Sequence, residues 1–451
     1  MPPSPQLARK LRLTDYFTLG WGTMVGVGWL VVMDDWLGRG GPVGAILAFA
    51  IGGALLLPVG YVYAQLVMAI PEASAEIAYT SKVFSRRVSF VTGWMMVLAY
   101  LIVCPWEAVA VGRIAGYLFP QLNSIPLYAV AGKPVFLPHL VLGLTLTALL
   151  SFLNYRGIRL SATFQNWTAF GTLALVVVFV GFGAARGSVH NFSPLFSGNG
   201  TLISIFLVLQ IVPYFMTGFE SVAKAAEEAG PDLRSREFFK AILMAIAVGI
   251  LFYTIVIAAV AYSAPWKSLT SVPFMTAVAF QQAVGSPWIV NVIMTAALLS
   301  LLKCFNGNFV AASRLLFALG RRGFIDQRLA AVHPLNQTPS VAVVWTGIAT
   351  AACMFMGQAI LIPITEVGSV ASATGWTAAC AAYYVMRPSR GQRVIAALGV
   401  TVGVAMILMK ALPALPGHFS RYEWMALIIW IALGVSLHIR EKALAEAAVS
   451  H

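Results

Sequence analysis

The chain has 451 residues, of which 59% are hydrophobic and 10% charged, with a mean hydropathy of +0.84. A soluble domain carries roughly 25% charged residues, so this composition excludes a soluble globular protein and indicates a polytopic chain embedded in a lipid bilayer. A net charge of +13 would suit a nucleic-acid binder, but the basic residues fall in alternate loops, as the positive-inside rule requires, so no nucleic-acid partner is read from it.

The richly basic set includes Arg9, Lys10 and Arg12, then Lys82, Arg86 and Arg87, and later Arg321, Arg322 and Arg328. The opposite set holds only Arg39, Lys133, Arg186, Lys267, Lys410 and Arg421. Both termini are therefore expected in the cytoplasm, with an even number of helices, in a bacterial inner (cell) membrane. Each crossing needs roughly 20 apolar residues, and runs of that length give about twelve transmembrane helices. The division expected is a cytoplasmic tail over 1–14, a helical core over 15–387, and two further helices with a C-terminal tail over 388–451. Cys104, Cys304, Cys353 and Cys380 are scattered through apolar runs without a CxxC pair, so neither disulfide, metal nor other cofactor is expected.

Helix 1, about Asp15 to Leu37, contains GWGTMVGVGW with Gly20, Gly22, Gly26 and Gly28. Glycines in a membrane helix either admit a close neighbour or open the backbone around a ligand. Helix 2 follows from Pro42 to Ile70, and the segment Pro71 to Arg87 is too polar to span and is expected at the cytoplasmic face. Helix 3, Phe90 to Phe119, carries Pro105 and two charges, Glu107 and Arg113; helices 4 and 5 occupy Leu137 to Tyr155 and Ala162 to Ala184. Helix 6, Leu202 to Ala229, is interrupted by IVPYFMTGFES, read either as a second opened segment or as a proline kink. Helix 7 spans Ala241 to Tyr262, a short external cap lies within Ser263 to Gln282, and helix 8 runs from Trp288 to Leu319. Helices 9 and 10 cover Val341 to Met356 and Ile362 to Met386. With breaks in the first and sixth places, the pattern is that of an all-α membrane protein with a five-plus-five inverted repeat whose helices 1 and 6 are discontinuous.

Five stretches resemble the amino acid, polyamine and organocation transporter superfamily, whose members share the leucine-transporter fold. GTMVGVGW at Gly22 to Trp29 is similar to the family's helix 1 motif, and PEASAEIAY at Pro71 to Tyr79 to its P-x-A-G-G-E-Y-x-Y. The others are NYRGIRLSATFQN from Asn154, GFESVAKAAEEAGPDLRSREFFKAI from Gly218 and NGNFVAASRLLFALGRRGFI from Asn306. The chain departs from the pattern at Val27, where many members place a hydroxyl residue, at Gln65, and at Ser74 and Ala75, which replace paired glycines.

The resemblance implies a substrate site at the two breaks. The opened backbone of helix 1 would offer N–H groups at Val25, Gly26, Val27 and Gly28 to a carboxylate. Carbonyls of Thr23, Met24, Tyr214, Phe215 and Thr217, beside Gly218, would accept from an ammonium. Tyr214 and Phe215 are candidates for an aromatic lid and Trp106 for a wall, although aromatics in membrane helices also serve packing.

Charges at mid-membrane must face protein or water. Glu220 is either a proton-accepting carboxylate or the i,i+4 partner of Lys224, which has Glu228 as an alternative. Lys303, in the stripe Ser300, Lys303, Gly307, would lie where sodium-coupled relatives hold a cation; it either couples transport to protons or makes a fixed bond with Glu107 or a backbone carbonyl. Glu107 facing the pocket would favour a cationic solute, but paired with Lys303 it would say nothing about the substrate. Glu227 and Glu228 are expected to pair with arginines at an inner gate, and Arg113 to snorkel or pair near the outer end.

No HExxH motif or paired catalytic residues stand mid-membrane, so an enzyme is not expected. The reading is a secondary transporter of an amino acid or related organic amine, working by alternating access with protons as coupling partner. An exchanger and a non-transporting nutrient sensor are the alternatives.

Overall fold

The computed structural model describes residues 7–386 and 389–449. The expected boundary between residues 387 and 388, and the first six residues of the tail, lie outside them. Among the described residues, eight helices are long and apolar enough to cross a membrane.

The first membrane segment is in pieces. Helix α1 (Leu13–Met24) stops at Val25, α2 (Gly28–Val31) is four residues long, and α3 (Met33–Leu55) begins directly after Val32. Gly41, at φ +66°, breaks α3 ahead of Pro42 and turns the chain back, so the expected tight turn between helices 1 and 2 lies inside one nearly continuous helical run. Helix α4 (Leu57–Ala69) continues the return, and the polar segment that follows contains α5 (Glu76–Ser81).

Helices α6 (Arg86–Leu101) and α7 (Val103–Leu118) form one crossing that bends at Ile102, three residues ahead of Pro105, whose ring and missing N–H disrupt the preceding turn. A β-hairpin, β1 (Pro126–Val130) paired antiparallel with β2 (Lys133–Phe136), interrupts the otherwise helical chain. This corrects the all-α expectation. Its two turn residues, Ala131 and Gly132, have φ values of +49° and +75°, as a two-residue hairpin turn demands.

Helices α8 (Leu137–Arg156) and α9 (Ile158–Arg186) follow the hairpin. The sixth segment is again in pieces: α10 (Thr201–Leu209), α11 (Val212–Met216) and α12 (Ser221–Lys224). Between the last two, Thr217 is extended and Gly218 has φ +138°; a Cβ on Gly218 would come within 2.8 Å of Met24 Cα, so the two broken segments meet backbone to backbone there. Then come α13 (Ser235–Ser263), the cap helix α14 (Met275–Val284), α15 (Trp288–Arg321), α16 (Ser340–Met354), α17 (Leu361–Met386), α18 (Arg390–Ala411) and α19 (Arg421–Val449).

Helix α1 is packed between α13, α9 and α15, and α11 lies against α3 and α17. Trp21, Trp29 and Trp36 are fully buried and make edge contacts with Phe252, Phe215 and Tyr253. Outward-facing side chains are large and apolar: Trp167 is 78% exposed, Val177 72% and Leu202 82%. An exposed apolar belt on this scale is stable against hydrocarbon and not against water, and the chain is an integral membrane protein.

Candidate functional site

Opening a helix in the membrane leaves carbonyls without partners, and each must find one. Helix α15 supplies them at helical spacing. Ser300 Oγ donates to the Gly26 carbonyl at 2.7 Å and reaches that of Val25 at 3.2 Å, and the Lys303 ammonium donates to Val25 and to Ser300 Oγ. One turn on, the Cys304 thiol and Asn308 Nδ2 donate to the Thr23 carbonyl at 3.1 and 3.0 Å. Across the break, Tyr253 OH lies 3.1 Å from the carbonyls of both Met24 and Phe215 and ties the two broken segments together.

The Thr23, Met24 and Phe215 carbonyls, read as acceptors for a substrate ammonium, already have protein donors. Of the four N–H groups, Val25 donates to Trp21 O at 3.0 Å and Val27 to Glu107 Oε1 at 3.3 Å. Only those of Gly26 and Gly28 lack an acceptor among the described residues.

The structure does bring the remaining residues together. Thr23, Met24, Gly26, Gly28, Val103, Trp106, Glu107, Tyr214, Phe215, Thr217 and Cys304 line one narrow cavity of about 10 Å³ between the two breaks, room for about one water. Trp106 Nε1 is held by the Leu361 carbonyl at 2.8 Å, which fixes its ring as a wall. Tyr214 and Phe215 meet edge to face, and Thr217 Oγ1 bonds Ser372 on α17 at 2.5 Å. Val25 and Val27 are fully buried in the break, and Gly218 faces the backbone of α1. Glu107 is 1% exposed and its Oε2 has no hydrogen-bond partner.

Three ion pairs held open as alternatives are not made. Lys303 and Glu107 do not bond each other: the lysine is held by the Val25 carbonyl and lies 4.5 Å from the Trp21 ring, as the carbonyl alternative anticipated. Lys224 bonds neither Glu220 nor Glu228 but Glu76, which also accepts from Tyr63 OH at 2.6 Å. Glu220 to Lys224 is a helical turn, but tertiary partners prevail over the local pair, and the helix ends at Ala225 before Glu228. Glu220 instead accepts from Trp376 Nε1 and the Gly218 N–H, both at 3.1 Å. Arg113 stacks on the Phe274 ring with 5.4 Å to its centroid.

Charge clusters stand at two ends of the helical core. At the end carrying the N-terminal tail, Arg321 grips Glu227 at 2.5 and 3.0 Å, Arg322 holds Glu72 at 2.6 Å, and the fully buried Arg314 pairs with Glu228 at 2.8 Å. Burial works against the Glu227 charge, but the Arg321 guanidinium outweighs it and holds that carboxyl below its usual range. At the opposite end Arg39 joins Asp35 and Glu366, and Glu366 also pairs with Lys410.

Tyr253, Asn308 and Glu76 escaped the sequence reading, and Cys304 was read only as a small hydrophobe. A signal existed for two of them: Cys304 and Asn308 continue the stripe begun by Ser300 at steps of four. Among the described residues, no group of three or more His, Cys, Asp or Glu is placed to hold a metal ion.

Comparison with known proteins adds the family. Residues 11–437 match the model of a family described as amino acid permease. A methylthioribose transporter of Bacillus subtilis is 25% identical, covering 96% of this chain and 94% of its own length. A branched-chain amino acid permease of the same organism is 26% identical over 81% of this chain and 77% of the relative. An aspartate-proton symporter, also of Bacillus subtilis, is 25% identical over 76% and 66%.

Proposed function

This chain belongs to the amino acid permease family, a family of transporters and not of enzymes, and we propose that it carries an amino acid or related organic amine by alternating access, coupled to protons. The observation behind this reading is the cavity between the two broken segments, with Trp106, Tyr214 and Phe215 as walls; in the proposed cycle the ion pairs of Arg39 and of Arg321 act as the outer and inner gates. A solute held there is reached from one side only when one cluster opens.

In this reading the ten helices over 15–387 form two inverted repeats of five, the last two helices complete about twelve, and both termini face the cytoplasm of a bacterial cell. Such a repeat would pair the α1 break with the α11 to α12 break and rock one half against the other. The relatives' names include branched-chain amino acids, aspartate and methylthioribose, so family membership leaves the solute open and the cavity must choose it.

Lys303 is the proposed coupling residue. Its ammonium neutralises the opened carbonyl of Val25, the task a bound cation performs at a broken helix, and a buried lysine can give up that proton as its surroundings change. Glu220, buried beneath the break, is the second candidate on the proton path.

The test is uptake of radiolabelled amino acids and amines into proteoliposomes with an imposed pH gradient or a preloaded exchange partner. Saturable accumulation driven by the gradient supports the symporter. Uptake only against internal solute makes the protein an exchanger, and binding without any uptake makes it a sensor.

A further inference from the structure

Glu107 stands where an amino acid would place its carboxylate. An α-amino acid docked at a broken helix presents its carboxylate to the freed N–H groups. Here a protein carboxylate already accepts from Val27, in the middle of the break. The same oxygen lies against Gly26, where an added Cβ would overlap it and approach Cys304 Sγ to 2.9 Å. A carboxylate brought to the opened backbone would lie beside Glu107, and two carboxylates side by side in a buried site repel each other.

The other carboxylate oxygen shows what the site wants instead. Glu107 Oε2 is buried, lines the cavity and has no partner, so it is an acceptor waiting for a donor. Lys303 does not supply one, since it is committed to Val25 and Ser300. The facing walls are Trp106, Tyr214 and Phe215, whose rings suit a cationic group.

We propose that the solute of this site carries no carboxylate and donates its ammonium to Glu107: a small organic amine or amino alcohol, not an α-amino acid. This rests on the transporter reading above and names its substrate class. Glu107 is thereby the specificity-determining residue. It disfavours the acid by holding a carboxylate on the Val27 N–H, beside the free N–H groups of Gly26 and Gly28, and selects the amine by its free oxygen.

Matched pairs separate the two classes: arginine and agmatine, leucine and leucinol, phenylalanine and phenethylamine. Binding of each to the purified full chain in detergent is measured, alongside uptake into proteoliposomes. The amine or amino alcohol of at least one pair should bind tenfold or more tightly than its amino acid. Glu107→Gln, nearly isosteric, should weaken that amine at least tenfold, and Glu107→Ala, which frees the Val27 N–H and removes the competing carboxylate, should move the preference toward the acid. The inference is overturned if the amino acids bind as tightly as their partners, or if Glu107→Gln leaves amine affinity unchanged; transport would then stand without it. If members of the pairs bind and none accumulates, transport fails, while the preference within each pair still decides the role of Glu107. If no member of any pair binds, both fall.

Discussion

Lys224 shows what a buried charge in a membrane protein requires. With no water to solvate it, the ammonium takes Glu76 as partner and the rings of Tyr63 and Tyr100 as surroundings, at 5.3 and 5.0 Å. Removing one partner leaves the other charge unpaired, so Glu76→Gln should destabilise the protein by about 3–5 kcal/mol, read as a large fall in Tm in detergent. Combining it with Lys224→Met should recover most of that loss. The pairing was not legible in the sequence because Glu76 lies 148 positions from Lys224, whereas helical spacing offers only Glu220 and Glu228. Glu228 and Glu227 did find arginines as expected, since an acidic pair closing one helix faced a basic end of another. The Glu227 contact also carries a pH dependence. Its carboxyl is depressed in the folded protein, so the contact contributes fully above the ordinary carboxylate value of about 4.3 and is lost as pH falls through the lower folded value. Acid below about pH 4 should therefore speed the reaction of the already exposed Arg321 with a guanidine-modifying reagent, and Glu227→Gln should speed it at neutral pH.

At the scale of elements, the two breaks were the most legible features. GTMVGVGW and IVPYFMTGFES carry the glycines and proline that weaken a helix, and the chain opens within both. Their partners were legible only in part: the stripe of Ser300, Lys303, Cys304 and Asn308 could be read along α15, but only tertiary packing brings it, and Tyr253 of α13, to the breaks. The β-hairpin was hidden because its strands are short and its turn uses alanine and glycine instead of a strong turn pair. Ala75 supplies a test. It stands where the family places glycine and adopts φ +38° and ψ −111°, a conformation costly to a residue with a Cβ. Ala75→Gly should stabilise the protein by about 1 kcal/mol, visible as a raised Tm; an unchanged or lowered Tm would mean that the strain is not stored there. At the first break, Gly26→Ala should cut solute binding at least tenfold while leaving the protein folded, because the new methyl group meets Glu107 and Cys304.

For the whole molecule, composition and charge asymmetry indicated a membrane protein from the first, and the ordered signatures pointed to the family that residues 11–437 match. Helix boundaries were legible to within a few residues over α8, α15 and α16, where charged or proline-bearing ends bound apolar runs, but not across Gly41, where helix runs almost through the turn. The proposed orientation predicts that epitope tags at either terminus are cleaved by protease only in inside-out vesicles. Cleavage of one tag from each side would require an odd number of crossings. The central claim is that solute and proton cross together through the cavity between the breaks, with Lys303 as the coupling group. Its most direct test is the internal pH of proteoliposomes on addition of an external solute that binds. The account predicts saturable internal acidification, lost in Lys303→Ala while exchange of labelled for unlabelled solute persists. Solute accumulation with no movement of protons, or acidification unchanged in Lys303→Ala, would contradict it.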